Sequence, residues 1–329
     1  VTSTESATTG ATAGRASTAR LAAPQLRRSG RGGGRKAAEL TLFVGPAFVL
    51  YAAFALAPIV LAFYYSFYNW NGITPLTHFI GLGNYRRAFH DPVFLESVRH
   101  NFYIVFLTLL VQLPIALGVA SLLNARLRGR AVLRTIFFAP YVLSEVITAV
   151  IWQLMLQPDS LADNILKSLG LGGLVQGWLS DPKIALWTLF VVATWKYIGF
   201  GIILLLAGLQ GIPGELTEAA EVDGASRWDV FRHIKLPLLG PTIRIWAFLS
   251  IIGSLQLFDL VYILTGGGPI NATSTMVTYM TDHGFHRFQF GYGSAIAVVL
   301  FLISFVFSLA YQRFVLRRDT EGALTSAAR

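Results

Sequence analysis

The chain has 329 residues, 54% of them hydrophobic and only 13% charged, whereas soluble domains carry about a quarter charged residues; this excludes a water-soluble globule. Its 26 Lys and Arg against 17 Asp and Glu leave a formal charge of +9, so the placement of each charge carries information. There is no cysteine, which removes disulfides, thiolate nucleophiles and Cys-ligated zinc or iron–sulfur sites.

Residues 1–39 are rich in Ala, Thr, Ser, Gly and Arg, include the run RRSGRGGGRK, and hold no apolar stretch. A disordered basic tail is expected there. It is too long for the charged start of a secretory signal, and the apolar run behind it is too long for a signal core. Six apolar segments follow, at 40–68, 102–123, 135–156, 184–209, 245–264 and 292–312. Each is long enough for a helix to cross roughly 30 Å of hydrocarbon. They are apolar on all sides, unlike the alternating strands of a membrane barrel, so the expected fold is all-α and polytopic with six transmembrane helices. Pro58 and Pro114 fall inside spans and are expected to kink them.

The basic residues orient the spans. Most lie in the tail, at Arg126, Arg128, Arg130 and Arg134, at Arg227, Arg232, Lys235 and Arg244, or at Arg313, Arg317, Arg318 and Arg329. The opposite loops, 69–101, 157–183 and 265–291, hold only Arg86, Arg87, Arg99, Lys167, Lys183 and Arg287. By the positive-inside rule both termini and the 210–241 loop face the cytoplasm of a multi-pass plasma (inner) membrane protein. The net charge is thus a topology signal and not a nucleic-acid footprint. The tail either touches anionic membrane lipid or is a plain leader.

Enzymatic motifs are missing. None of the five lysines follows a glycine, so there is no phosphate-binding G-x-x-x-x-G-K-[ST] loop, and H-E-x-x-H, G-x-S-x-G and G-x-G-x-x-G are absent. His283 and His286 are the only close histidine pair, and without a carboxylate pattern beside them no metal site is expected. No catalytic residue and no cofactor is assigned to this chain.

The 210–241 loop is more structured than the membrane requires. Pro213 suits a first helical turn, Glu215, Glu218 and Glu221 favour the positive end of a helix, and Gly224 supplies a left-handed stop. Ser226 with Asp229 resembles an N-cap box, Val230, Phe231 and Ile234 recur at helical spacing, and Pro237 is expected to end the run. Acids outnumber bases here, which argues against a DNA-reading helix pair. The small Ala219 and Ala220 admit close approach of another protein, with Phe231 or Ile234 as apolar anchors; packing beneath its own spans is the plain alternative.

At these residues the sequence resembles a known family. Glu218-Ala219-Ala220, Gly224, Ile234 and Leu236-Pro237 reproduce the EAA motif of the membrane subunits of binding-protein-dependent ABC importers. The fuller pattern, with Asp223 and Phe231, is similar to the carbohydrate-uptake branch of maltose- and glycerol-phosphate-type permeases, as are WKYIGFGIILLLAGLQGIP, FDLVYILTGGGP and FIGLGNY. The resemblance implies a membrane domain over 40–316, with its core at about 97–312 and a cytoplasmic coupling-helix loop at 210–241, and a short cytoplasmic tail at 317–329. It implies that Glu218, Ala219, Ala220, Asp223, Gly224, Phe231, Ile234, Leu236 and Pro237 contact a cytoplasmic ABC ATPase, which hydrolyses the ATP. It further implies a second homologous permease in a heterodimer, an extracellular solute-binding protein, and a sugar or oligosaccharide substrate. A self-sufficient secondary transporter or channel is the rival reading, and a membrane-embedded enzyme the third.

Polar residues at bilayer depth are costly unless paired or wet. Glu145 and Lys196 lie near the middles of spans three and four and are candidates for an ion pair, with Lys196 also a candidate for the substrate path. Trp195, Gln256, Asp259 and Tyr262 offer the hydrogen-bonding groups and aromatic faces that a sugar needs.

Overall fold

The computed structural model describes residues 33–125 and 128–317, with side chains from residue 41 onward. Most of the expected basic tail, Arg126 and positions 318–329 lie outside the described residues. The chain divides into two compact units, 1–55 and 56–329. In the first, α1 (Gly33–Tyr51) is followed by a π turn, Ala52–Leu56. The helix thus starts before residue 40, correcting the boundary of the disordered tail: Arg35 to Leu40 is a string of strong helix formers that extends the apolar run backwards.

The second unit contains α2 (Ala57–Tyr65), α3 (Gly83–His90), α4 (Pro92–Leu107), α5 (Leu113–Asn124), α6 (Arg130–Val142), α7 (Glu145–Met155), α8 (Leu161–Ser168), α9 (Ala185–Gln210), α10 (Gly214–Val222), α11 (Arg227–Val230), α12 (Leu236–Leu238), α13 (Gly240–Leu255), α14 (Asp259–Leu264), α15 (Met276–Thr281) and α16 (Phe290–Tyr311). The one strand-type pairing among the described residues is a bridge between Tyr68 and Phe79.

Four helical runs are long and apolar enough to cross a membrane as they stand: Thr41–Tyr65, Pro92–Asn124, Ala185–Gln210 and Phe290–Leu316. Two more do so only as bent pairs, Arg130–Val142 with Glu145–Met155 at 97° and Arg227–Leu238 with Gly240–Leu255 at 63°. The third expected span is therefore broken at 143–144, whereas the 63° bend lies ahead of the fifth. The fifth is interrupted at 256–258, after which α14 packs on α7.

The second span begins ten residues earlier than hydropathy places it, at Pro92 instead of Phe102. Asp91 is the reason. Its carboxylate accepts from the amides of Val93 (2.9 Å) and Phe94 (3.3 Å), with proline in the first turn where a missing N–H costs nothing. The same carboxylate accepts from the Tyr279 hydroxyl at 2.6 Å, tying α4 to α15. Burial opposes its ionisation, but Tyr279 and the two amides prevail and hold it below the ordinary carboxylate range.

Three prolines share a device. Pro58, Pro114 and Pro237 each follow a single π turn, at Ala52–Leu56, Thr108–Gln112 and Phe231–Lys235. A proline ring clashes with the carbonyl four residues back, and widening the preceding turn relieves that clash.

At the centre stands α9, half of whose apolar window is buried, against 22% for the α4–α5 run and 28% for the α16 run. Leu189 and Val192 pack with Ile104, Leu260 and Val261 on one side; Ile202, Leu205 and Leu209 pack with Ala116 and Ala120 on the other. Contact with α6 is close enough that a Cβ on Gly199 would lie 2.2 Å from the Phe137 carbonyl oxygen, so only glycine fits. Elsewhere, buried Asn101 joins three elements: its amide donates to the carbonyl of Ser254 at the end of α13 (2.9 Å), and its oxygen accepts from Met276 in α15 (2.9 Å). Large apolar side chains remain uncovered on α7, including Val146, Ile147, Ile151 and Leu154, a surface suited to lipid or another subunit and not to water.

Candidate functional site

Lys196 explains the break between α6 and α7. The last carbonyls of α6 have no intrahelical partners, and the chain leaves the helix at Leu143 in an extended conformation. The Lys196 ammonium, 2% exposed, donates to the carbonyls of Pro140 (3.0 Å), Tyr141 (3.0 Å) and Leu143. A cation at a helix C-terminus also complements its dipole. The expected Glu145–Lys196 ion pair is therefore corrected: all three ammonium protons go to backbone oxygens, which sit closer than the carboxylate does. Glu145 opens α7 and acts on the Lys196 charge across a longer gap, while its carboxylate interacts with the Tyr197 hydroxyl.

Beside this break lies a cavity of about 480 Å³. Glu145, Gln256 and Asp259, picked out from the sequence, line it. The other three candidates do not. Lys196 is used up on α6; Trp195 packs edge-on against Trp152 with ring centroids 5.4 Å apart. Tyr262 lines a second hollow with Gln153 and Trp178 and meets His286 at 3.2 Å. The main cavity adds residues the sequence reading missed: Thr108 and Gln112 from the π turn before Pro114, Tyr197 from α9, and Ser250 and Ser254 from α13. Tyr141 and Phe200 stack at 5.3 Å and 24° on its wall. A polar pair four residues apart next to a proline inside a span is the signal that would have found Thr108 and Gln112.

The 210–241 loop folds by local rules. Gly214, not Pro213, is the first residue of α10, with Pro213 just before it. Gly224 has φ +85°, and the amides of Gly224 and Ala225 donate to Glu221 (3.1 Å) and Ala220 (2.9 Å), closing the helix. Ser226 and Asp229 then form a reciprocal capping box. Hydrogen bonds from the Ser226 side chain and amide hold the Asp229 carboxyl below the usual range. Val230 and Leu239 are buried and pin the loop. Glu218, Ala219, Asp223, Gly224 and Pro237 face outward; Ala220, Phe231, Ile234 and Leu236 are half-buried. The outermost apolar groups are Val222, 88% exposed, and Trp228, 64% exposed and stacked on Phe231 at 5.6 Å. Pro237 does not end the run: behind its π turn the helix continues to Leu238 and bends by 63° into α13.

Comparison with known proteins fits this architecture. The family model described as "binding-protein-dependent transport system inner membrane component" matches residues 112–320. The chain is 38% identical over 274 residues to a probable ABC transporter permease protein of Pyrococcus horikoshii, covering 83% of this chain and 94% of that one. It is 34% identical to the lactose transport system permease protein of Rhizobium radiobacter (84% and 93% covered) and 34% identical to the trehalose/maltose transport system permease protein of Thermococcus litoralis (82% and 91% covered). In fold it is similar to a chain in the crystal structure of a bacterial ABC transporter that imports the acidic polysaccharide alginate, with a TM-score of 0.76, 23% identity, and 86% and 96% of the two chains covered. The chain belongs to the inner membrane components of binding-protein-dependent transport systems and is an ABC importer permease.

Proposed function

We propose that this chain forms, with a second related permease, the pathway by which a sugar or oligosaccharide crosses the plasma membrane. A cytoplasmic ABC ATPase engages the 210–241 loop through Glu218, Ala219, Asp223 and Gly224, and an extracellular solute-binding protein delivers the substrate. Both termini lie on the cytoplasmic side with the loop. The chain itself catalyses nothing and binds no cofactor; ATP is hydrolysed by the partner. Relatives named for lactose, trehalose/maltose and arabinooligosaccharide transport support a carbohydrate cargo.

One observation carries the reading. The loop's second helix and the cavity wall are a single bent element, since α11, its π turn and α12 run into α13, which supplies Ser250 and Ser254 to the cavity. An ATPase that tilts the loop therefore moves polar groups in the path as a rigid body. The test is gentle detergent extraction from native membranes with mass spectrometry of what co-purifies, for the wild type and a Glu218→Arg, Gly224→Asp double variant. An ATPase and a second permease with the wild type, and loss of the ATPase alone in the variant, are the expected result. A folded chain that purifies alone in both cases would return the secondary-transporter reading.

A further inference from the structure

The main cavity's charge is one-sided. Among its lining residues are two acidic side chains, Glu145 and Asp259, and no Lys, Arg or His. Lys196, the cation of this layer, does not line it: its ammonium donates to the carbonyls of Pro140, Tyr141 and Leu143, and its charge acts on Glu145 from behind the wall, offsetting part of one acid and none of the cavity's other. The cavity also holds polar groups open to a ligand. Thr194 Oγ1, on its wall, is buried with no hydrogen-bond partner among the described residues, and such groups are costly. Gln112 and Thr108 line the same cavity, 6% and 7% exposed, and sit on a π turn, a distortion frequent at functional sites. An amide and hydroxyls beside the stacked rings of Tyr141 and Phe200 suit hydroxyl groups and the C–H face of a sugar ring.

We infer that this cavity selects by charge: it takes uncharged sugars, held by Gln112 and Thr108, and turns away sugars bearing a carboxylate, phosphate or sulfonate through Glu145 and Asp259. The inference rests on the cavity being a sugar path. An anion brought between two acidic side chains in a medium of low dielectric, with no cation on the wall to meet it, is repelled far more strongly than in water. The uncharged sugar incurs no such repulsion and can donate its hydroxyls to the same carboxylates.

The experiment uses the complete importer in proteoliposomes, with a panel of neutral oligosaccharides and the same panel oxidised at C6 to uronates. The preference of the isolated binding protein is measured by competition and divided out. The wild type is expected to accumulate neutral members at least about ten-fold faster than their uronates. A Glu145→Gln, Asp259→Asn double variant is expected to narrow that ratio by a similar factor. Should the double variant fail to assemble, Gln112→Arg, which places a cation on the wall, is expected to raise uronate uptake and lower neutral uptake. Equal wild-type handling of both panels, or a ratio untouched by the variant that assembles, overturns the charge screen while leaving sugar transport standing. If no panel member binds the binding protein or is carried, the sugar reading itself falls, and the inference with it.

Discussion

The two bends are held in opposite ways. At 143–144 the 97° break is secured by a side chain from another helix, Lys196 of α9, through three polar contacts. At Leu239 the 63° bend is secured by fully buried apolar packing against α9, with Leu205, Leu206 and Leu209. The first is polar and distant, and fixes a wall of the cavity. The second is apolar, and joins the 210–241 loop to another wall. A fixed wall needs directional bonds; a joint that transmits motion needs a well-packed pivot.

The largest effect should come from Lys196→Met. It strands the carbonyls of Tyr141 and Leu143 in apolar surroundings and leaves that of Pro140 only the Leu143 amide, a loss of about 3–5 kcal/mol by analogy with breaking a buried ionic contact. Thermal unfolding of the detergent-purified complex should show a sharply lower midpoint, partly restored in Lys196→Arg; a midpoint equal to the wild type would dismiss the cap. Next is Leu239→Ala, expected to cost about 2–5 kcal/mol as a core truncation. If Leu239 is the pivot, transport should fall more than complex yield, and a proportional loss of both would make it ordinary core.

Smaller still is Gly224→Ala, which forces a Cβ into the left-handed region at φ +85° for about 1–2 kcal/mol. Its effect should appear as weaker retention of the ATPase during co-purification, with the α6–α7 break unaffected when probed by proteolysis. The smallest effect is set by pH and touches neither bend. His283, buried beside Tyr279 and Tyr292, faces Arg87 and Arg287, with Asp282 opposing them; burial, reinforced by the two arginines, lowers its pKa. The folded value therefore lies below the unfolded value of about 6.5. The unfolded chain binds more protons as pH falls through that value, so the associated stability is complete above it and is lost toward the folded pKa. Melting temperature should decline between pH 7 and 5, and His283→Asn should flatten the decline; an unchanged slope would exclude this residue.

What is legible in the sequence follows the same division. Gly224, Ser226 and Asp229 declare the loop because caps and left-handed stops are decided by neighbours a few residues away. The helix start at Pro92 is written just as locally, in Asp91-Pro92, but hydropathy hides it because the first turns of α4 are polar. The apolar runs reveal that the chain spans a membrane and leave the break at 143–144 invisible, since the group that caps it is more than fifty positions along the chain, as the separations of its hydrogen bonds record. In the cavity, Glu145, Gln256 and Asp259 stand out as polar residues in apolar surroundings. Thr108 and Gln112 do so less, because their role depends on a π turn that rotates both toward the same space. Lys196 is conspicuous but misread: a carboxylate is the obvious partner for an ammonium, yet a broken helix offers carbonyls that are nearer and better placed.

The bend at Leu239 also sets a mechanical ratio. With 16 residues, α13 is about 24 Å long at 1.5 Å per residue, and its far end carries Ser254. A rotation of about 10° at the pivot would then sweep that end through about 4 Å. Under the proposed coupling, the element would work as a crank with arms of similar length: the 12 residues from Arg227 to Leu238 span about 18 Å. A tilt of the loop by about 3 Å would then reach the cavity undiminished, as a displacement wider than a water molecule.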